Sequence, residues 1–220
     1  MAVDYKKEYK ELDLPKDEPS MTDTELYKRL ADLTRSKELW AENIPYVVSL
    51  LENRSPRIMA KALWLLGEMG LRYPEEIVGT VGRIASFIDS QDDLLRERAL
   101  NALGRIGRAR FDVIEPWLEK IFGLAADSNP RVRLAFIWAS ENIAHNTPDI
   151  YGDYMSVFEE LLHDNDDKVR MEVPEIFRVL GKRRPEFVAP YISHLLDMAE
   201  TDSNRVVRIH CHGAARANGK

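Results

Sequence analysis

The chain is 220 residues long, 45% apolar and 31% charged, with a formal net charge of −6 and one cysteine, Cys211. That balance suits a soluble, helix-rich protein and excludes a global basic field that would draw it to nucleic acid or an anionic membrane. No run approaches the roughly 18 apolar residues of a membrane span, and a lone cysteine cannot close an internal disulfide.

Residues 1–20, MAVDYKKEYKELDLPKDEPS, are charged from Asp4 onward and lack the apolar core of a secretory signal. They read as a mobile charged tail on a cytoplasmic protein. Thr22-Asp23-Thr24-Glu25 forms a capping-box pattern, and Leu26, Leu30 and Leu33 come next at helical spacing. A helix over about residues 22–35 is expected to cover the first of the units that begin at residue 38.

From residue 38 the chain repeats. The pairs Leu95-Arg96, Val132-Arg133, Val169-Arg170 and Val207-Arg208 recur at spacings of 37, 37 and 38, and Ile58-Met59 keeps the apolar member one period earlier. Three residues after the arginine position stand Ala62, Ala99, Phe136, Val173 and Cys211, and ten after stand Met69, Ile106, Ile143 and Leu180. Such columns mark one buried helical face. Gly70, Gly107 and Gly181 come one residue later, where they predict helix ends with positive φ, and Pro74, Pro148 and Pro185 predict the start of the next helix. Each unit therefore reads as helix A, a tight polar turn and helix B, with repeats at about 38–73, 74–110, 111–147, 148–184 and 185–220. In the third unit helix A is expected over about 113–126. Pro174 falls inside the fourth helix B and predicts a kink. One helix pair cannot bury its apolar face alone, so the units must stack into one array.

The turns DSNPRVR, DNDDKVR and DSNRVVR, with the divergent DSQDDLLR beginning at Asp89, carry a resemblance to the HEAT repeat family over roughly residues 38–220. The resemblance implies an all-α fold, an α-α superhelix (a right-handed solenoid) of about five helix pairs plus the N-terminal helix. It also implies a structural ladder in which Asp127, Asp164 and Asp202 pair with Arg96, Arg133, Arg170 and Arg208 across neighbouring units. The tetratricopeptide and ankyrin signatures are absent.

Function is expected on the columns of helix B that the core does not need. They hold Trp64, Asn101, Trp138 and Glu175; Gly67, Gly104, Glu141 and Arg178; and Leu71, Arg108, His145 and Lys182. Trp138 is the expected anchor for a partner, since a large aromatic carrying an N–H suits a binding hot spot. Asn101, Glu141, Glu175, Arg178, Arg105 and His145 are expected around it. Trp64 is expected under the first helix, and Trp117 in the core with Ile121. Glu141 and His145 face one way on helix B but do not make a metal or acid–base site by themselves. His210-Cys211-His212 cannot converge on one ion from a helix, because successive residues point about 100° apart. Basic residues at the ends of the B helices (Arg105, Arg108, Arg110, Lys182, Arg183, Arg184) offset helix dipoles.

These features point to a non-enzymatic scaffold that binds a protein or peptide along the concave helix-B face, with no cofactor, no metal and no membrane contact. The alternative is a nucleic-acid-binding protein resembling the HEAT-like alkylpurine DNA glycosylases. That reading needs a catalytic aspartate and a basic channel that the mixed charge here does not supply. A HEAT-like lyase or chaperone resembles the chain less, its repeats being shorter. The last helix B lacks a polar capping repeat, which allows self-association there.

Overall fold

The last four B helices start where they do because of two side chains in each turn. In the computed structural model, which describes residues 21–218, Asp127, Asp164 and Asp202 each accept the backbone N–H two residues on, at 2.7–2.8 Å. The residue whose N–H is accepted then caps the helix. Asn129 accepts from Arg131 N–H, Asp166 from Lys168 and Val169, and Asn204 from Val206. Each turn thus satisfies donors that a helix start leaves open. Ser90 fills the same place in the second turn and Asn53 in the first, taking the N–H of Asp92 and Ser55. Asp89, the aspartate that DSQDDLLR begins with, is one residue out of register. It pairs instead with Lys120 Nζ at 2.6 Å.

The helices run in order as α1 (Asp23–Arg35), α2 (Trp40–Ser49), α3 (Pro56–Arg72), α4 (Pro74–Ile77), α5 (Val81–Ala85), α6 (Asp93–Ala109), α7 (Leu118–Gly123), α8 (Pro130–Ala144), α9 (Met155–Leu162), α10 (Asp167–Gly181), α11 (Pro185–Val188), α12 (Ile192–Thr201) and α13 (Arg205–Arg216). The B helices α3, α6, α8, α10 and α13 pack on one another in that order; α2, α5, α9 and α12 pack on the B helices of their own units, while α4 and α11 pack on the B helix of the unit before. The result is an all-α superhelix of five stacked units. Leu26, Leu30 and Leu33 of α1 join the same core, the Thr22–Glu25 capping box closes its start, and α1 packs on α3. The expected tail over residues 1–20 lies outside the described residues.

Two sequence expectations change here. Helix A is not one continuous helix: from the second unit on, a 3₁₀ segment recurs at the same place in the repeat, at Val78–Thr80, Glu115–Trp117 and Ala189–Tyr191, and within Pro148–Tyr154. Pro116 and Pro190 sit in two of these segments, where the missing N–H removes one helical hydrogen bond. The expected helix over 113–126 is therefore three short pieces. Second, the glycine column does not end the helices through positive φ. Gly70 and Gly107 lie inside α3 and α6, buried. A Cβ on Gly70 would stand 2.6 Å from Ile106 Cγ1, and one on Gly107 would stand 2.9 Å from Ile114 and Ile143. Glycine is needed there so that the next unit can come close. Pro174, expected to kink the fourth helix B, lies buried inside α10.

The arginines cross between units. Arg96 donates Nε and Nη2 to the two carboxylate oxygens of Asp127 at 2.8 and 3.0 Å, and Arg133 does the same to Asp164 at 2.6 and 2.7 Å. Arg170 Nε reaches Asp202 at 3.1 Å. Each arginine also donates Nη1 to a carbonyl of its own turn, at Ser90, Asp127 and Asp164. The bidentate Asp127 hydrogen bonds hold the Arg96 guanidinium above its ordinary range. Arg208 departs from the expected ladder. Its Nη1 donates to the carbonyls of Asp202 and Ser203, and no carboxylate among the described residues pairs with it. A second set of links, not expected from the sequence, runs beside the first: Asn129 Nδ2 donates to Asp93 at 2.5 Å and Asn204 Nδ2 to Asp167 at 3.3 Å.

Candidate functional site

Trp138 sits in the middle of α8, and 37% of it is exposed. Val132, Ala135, Phe136, Ile137, Ala139 and Ile143 of the same helix are buried, so this tryptophan faces away from the core that holds its neighbours. It is one of six large apolar side chains with such exposure among the described residues. Three of the others, Leu196, Val206 and Ile209, lie on the last unit.

The residues expected around Trp138 divide into two groups. Asn101 lies beneath the face rather than on it, 7% exposed, and its carbonyl accepts Arg105 Nη1 at 3.0 Å. Arg105 is also held by Glu68 at 2.6 Å. Gly67 and Gly104, expected on the open face beside Glu141 and Arg178, are instead the contact between B helices. A Cβ on Gly67 would stand 2.7 Å from Ala102 Cα, and one on Gly104 would stand 2.5 Å from Ala139 Cα. The same column therefore changes use along the array, from helix contact to Glu141 and Arg178.

Glu141 is caught by that change. Its Oε1 is enclosed without a hydrogen-bond partner among the described residues. Burial, with Glu172 and Glu175 nearby, pushes its carboxyl up to about 8, and Arg178 opposes the rise. Glu175 pairs with the exposed Arg178 and lies 3.9 Å from His210 Nδ1. His145 is half-buried; burial and then the charges of Arg108 and Arg183 hold its imidazole below the ordinary value. Among the described residues no group of three His, Cys, Asp or Glu side chains is placed to hold a metal ion. Cys211 is buried and its thiol pushed up to about 12, while His210 lies against the carbonyl of Met171 at 2.7 Å and His212 is exposed.

Most of the basic residues near the helix-B ends are taken up within the protein. Arg110 pairs with Glu75 and Asp112 at 2.6 Å each, Arg184 with Asp149, and Arg183 Nε donates to the carbonyl of His145 at 2.8 Å. Asn146 makes the matching reach one unit earlier, to the carbonyl of Arg108 at 2.7 Å. Arg183, Asn146 and the Arg110–Asp112 pair link neighbouring units, a role beyond the helix-dipole one expected from these positions. Trp64, expected under α1, is half-buried and carries the Lys61 ammonium 4.1 Å from its ring centroid. Trp117 is half-buried against the core. No described helix is long and apolar enough to cross a membrane.

Solved structures share this architecture at low sequence identity. An engineered protein from the Northeast Structural Genomics Consortium is 16% identical with a TM-score of 0.62, covering 89% of this chain and 92% of its own. A computationally designed armadillo repeat protein, described as made for modular peptide recognition, is 17% identical with a TM-score of 0.59, covering 90% and 95%. A second engineered protein from the same consortium is 18% identical with a TM-score of 0.58, covering 78% of this chain and 46% of that one. No curated protein matches the sequence. Residues 17–199 match the family model described as sister chromatid cohesion protein PDS5. With the stacked HEAT-type units, that match over most of its length places the chain in the PDS5 family.

Proposed function

We propose that this protein is a non-enzymatic scaffold that holds a protein or peptide segment along the face of its B helices, with Trp138 as the anchor. The observation that carries this reading is the exposure of Trp138 on a helix whose other large apolar residues are buried or, at Leu134, half-buried. A half-exposed indole on a rigid helix supplies contact area at little entropic cost. Glu141, Glu175, Arg178, Arg105 and His145 provide the mixed polar surroundings, while Asn101 supports the face from below. The fold is one that a designed armadillo repeat protein uses for peptide recognition, which supports a partner of the same kind here. The ion pairs that engage Arg105, Arg110 and Arg184 within the array, and the net charge of −6, weigh against a nucleic-acid-binding role.

The test is selection of a displayed random peptide library on the whole chain, followed by affinity measurements with the enriched peptides. The expected result is binding that falls at least tenfold in Trp138→Ala and is unchanged in Lys120→Ala, a substitution on the A layer. Equal binding by wild type and Trp138→Ala would sink the reading. A labelled oligonucleotide that bound more tightly, with a steep loss on adding salt, would favour the nucleic-acid alternative.

A further inference from the structure

The B-helix face has a second feature, three units' width from Glu175 and centred on residues outside the Trp138 surface. Between α1, α3 and α6 lies an open notch of about 280 Å³, lined by Tyr27, Arg57, Lys61, Trp64, Leu94 and Arg98. Its charged lining residues are all cations. Two of them rest on aromatic rings: the Arg57 guanidinium lies 4.2 Å from the Tyr27 ring centroid, and Lys61 Nζ lies 4.1 Å from that of Trp64. Among the described residues neither Arg57 nor Lys61 has an ion-pair partner, and Arg98 meets only its neighbour Glu97, at 3.4 Å. Glu68, whose charge acts on Lys61, is already held by Arg105 at 2.6 Å. Cations brought together and left unpaired are an unfavourable arrangement that one bound anion relieves.

We infer that this notch takes the acidic side chain of a peptide segment lying along the B helices, with Lys61 and Arg98 holding the anion and Trp64 and Leu94 packing the adjacent chain. This rests on the scaffold reading and names the chemistry of its partner. The notch has room for one or two side chains, and the face beyond it turns acidic at Glu141, Glu172 and Glu175, which repel one another across α8 and α10. A long polyanion would meet that repulsion; a short acidic segment would not. Trp64 and Trp138 occupy the same column two helices apart. At about 8–10 Å per helix pair the separation is roughly 16–20 Å, which an extended peptide spans in about five or six residues. The acidic residue of the partner therefore stands about five or six positions from the part that meets Trp138.

The test uses fluorescein-labelled peptides of about twelve residues, identical except at three adjacent positions that carry Glu, Gln or phosphoserine, with a single-stranded oligonucleotide of about twenty bases beside them. Fluorescence anisotropy is read with the full chain. The Glu or phosphoserine peptide is expected to bind at least tenfold more tightly than the Gln peptide, and the tighter of the two identifies the anion. Lys61→Gln with Arg98→Gln should abolish that preference, while Arg131→Gln, an exposed cation elsewhere, should leave it. Equal binding of the Glu, phosphoserine and Gln peptides, a preference that survives the double substitution, or tighter binding of the oligonucleotide than of any peptide would overturn the inference. The Trp138→Ala variant separates the two readings. An acid preference that needs Lys61 but not Trp138 leaves the notch and removes the anchor; library peptides that need Trp138 but show no acid preference do the reverse.

Discussion

Helix α8 meets α6 on one side and α10 on the other through the same column of the repeat, and the two contacts are built differently. Toward α6 the column holds Gly104, and backbone meets backbone at Ala139, so closely that a Cβ would stand 2.5 Å from its Cα. Toward α10 the column holds Glu141, whose carboxyl is enclosed without a partner and pushed up to about 8. Between the same two units the A layer adds aromatic contacts. Phe122 stacks on Tyr154 with centroids 3.8 Å apart, Phe136 stacks on Phe158 at 5.5 Å, and Tyr151 donates its hydroxyl to the carbonyl of Ser140 at 3.0 Å. A repeat fixes the path of the chain, but one column can be a helix contact at one junction and hold an enclosed carboxylate at the next.

The ladder crosses both junctions, so it gives the baseline against which the difference is measured. Arg133→Ala leaves Asp164 without its guanidinium, and the side chain of Asp164 is only 6% exposed. The loss is expected to be about 2–4 kcal/mol in urea unfolding, below that of a fully enclosed pair because solvent at the rim screens it. Arg96→Ala is expected to cost a similar amount. A much larger cost at one of the two would mean that the ladder, not the column, distinguishes the junctions.

Next in size is Gly104→Ala. Alanine is the better helix former by about 1 kcal/mol, yet the new methyl group has only the backbone of Ala139 to displace. A net loss of about 1–3 kcal/mol is expected. The outcome that would break the comparison is a more stable Gly104→Ala variant.

Glu141→Gln probes the other junction, and pH gives the sign. The folded carboxyl stands near 8 against an ordinary value of 4.5, so the unfolded chain releases the proton first. Stability is whole below about pH 4.5 and declines as pH rises toward 8. The amide removes that decline, so the variant should gain up to a few kcal/mol over wild type at pH 8 and none at pH 4.5. A pH scan of the melting temperature checks both ends.

The smallest effect lies in acid. Burial opposes ionisation of Asp164, but hydrogen bonds from Arg133 and from the Asp166 backbone outweigh it and hold its carboxyl below the ordinary 3.8. Its contribution is present above that value and is lost as pH falls further. Asp164→Asn should therefore flatten the acid limb of a stability profile below about pH 4 and leave the slope above about pH 5 unchanged.

Much of this was legible in the sequence because it is carried by local spacing. The period of 37–38 residues, the turn aspartates and the buried apolar columns follow from helical geometry and turn chemistry, which act within one unit, and the ladder arginines from the resemblance to the HEAT repeat family. Even the Asn129–Asp93 and Asn204–Asp167 links stand in the sequence as N-cap asparagines set against first-turn aspartates. What spacing could not decide was how closely neighbouring units approach. Gly70 reads as a helix end until Ile106 is seen against it, and Gly104 reads as open surface until Ala139 is. Asn101 falls below the face and Trp138 stays on it because of the packing of α6 and α8. The cations of the notch come from two helices nearly forty residues apart, against a tyrosine from a third. A one-dimensional period places side chains on a face; only the stacked helices set the distances between faces, and those distances determine which side chains are buried, paired or left to meet a partner.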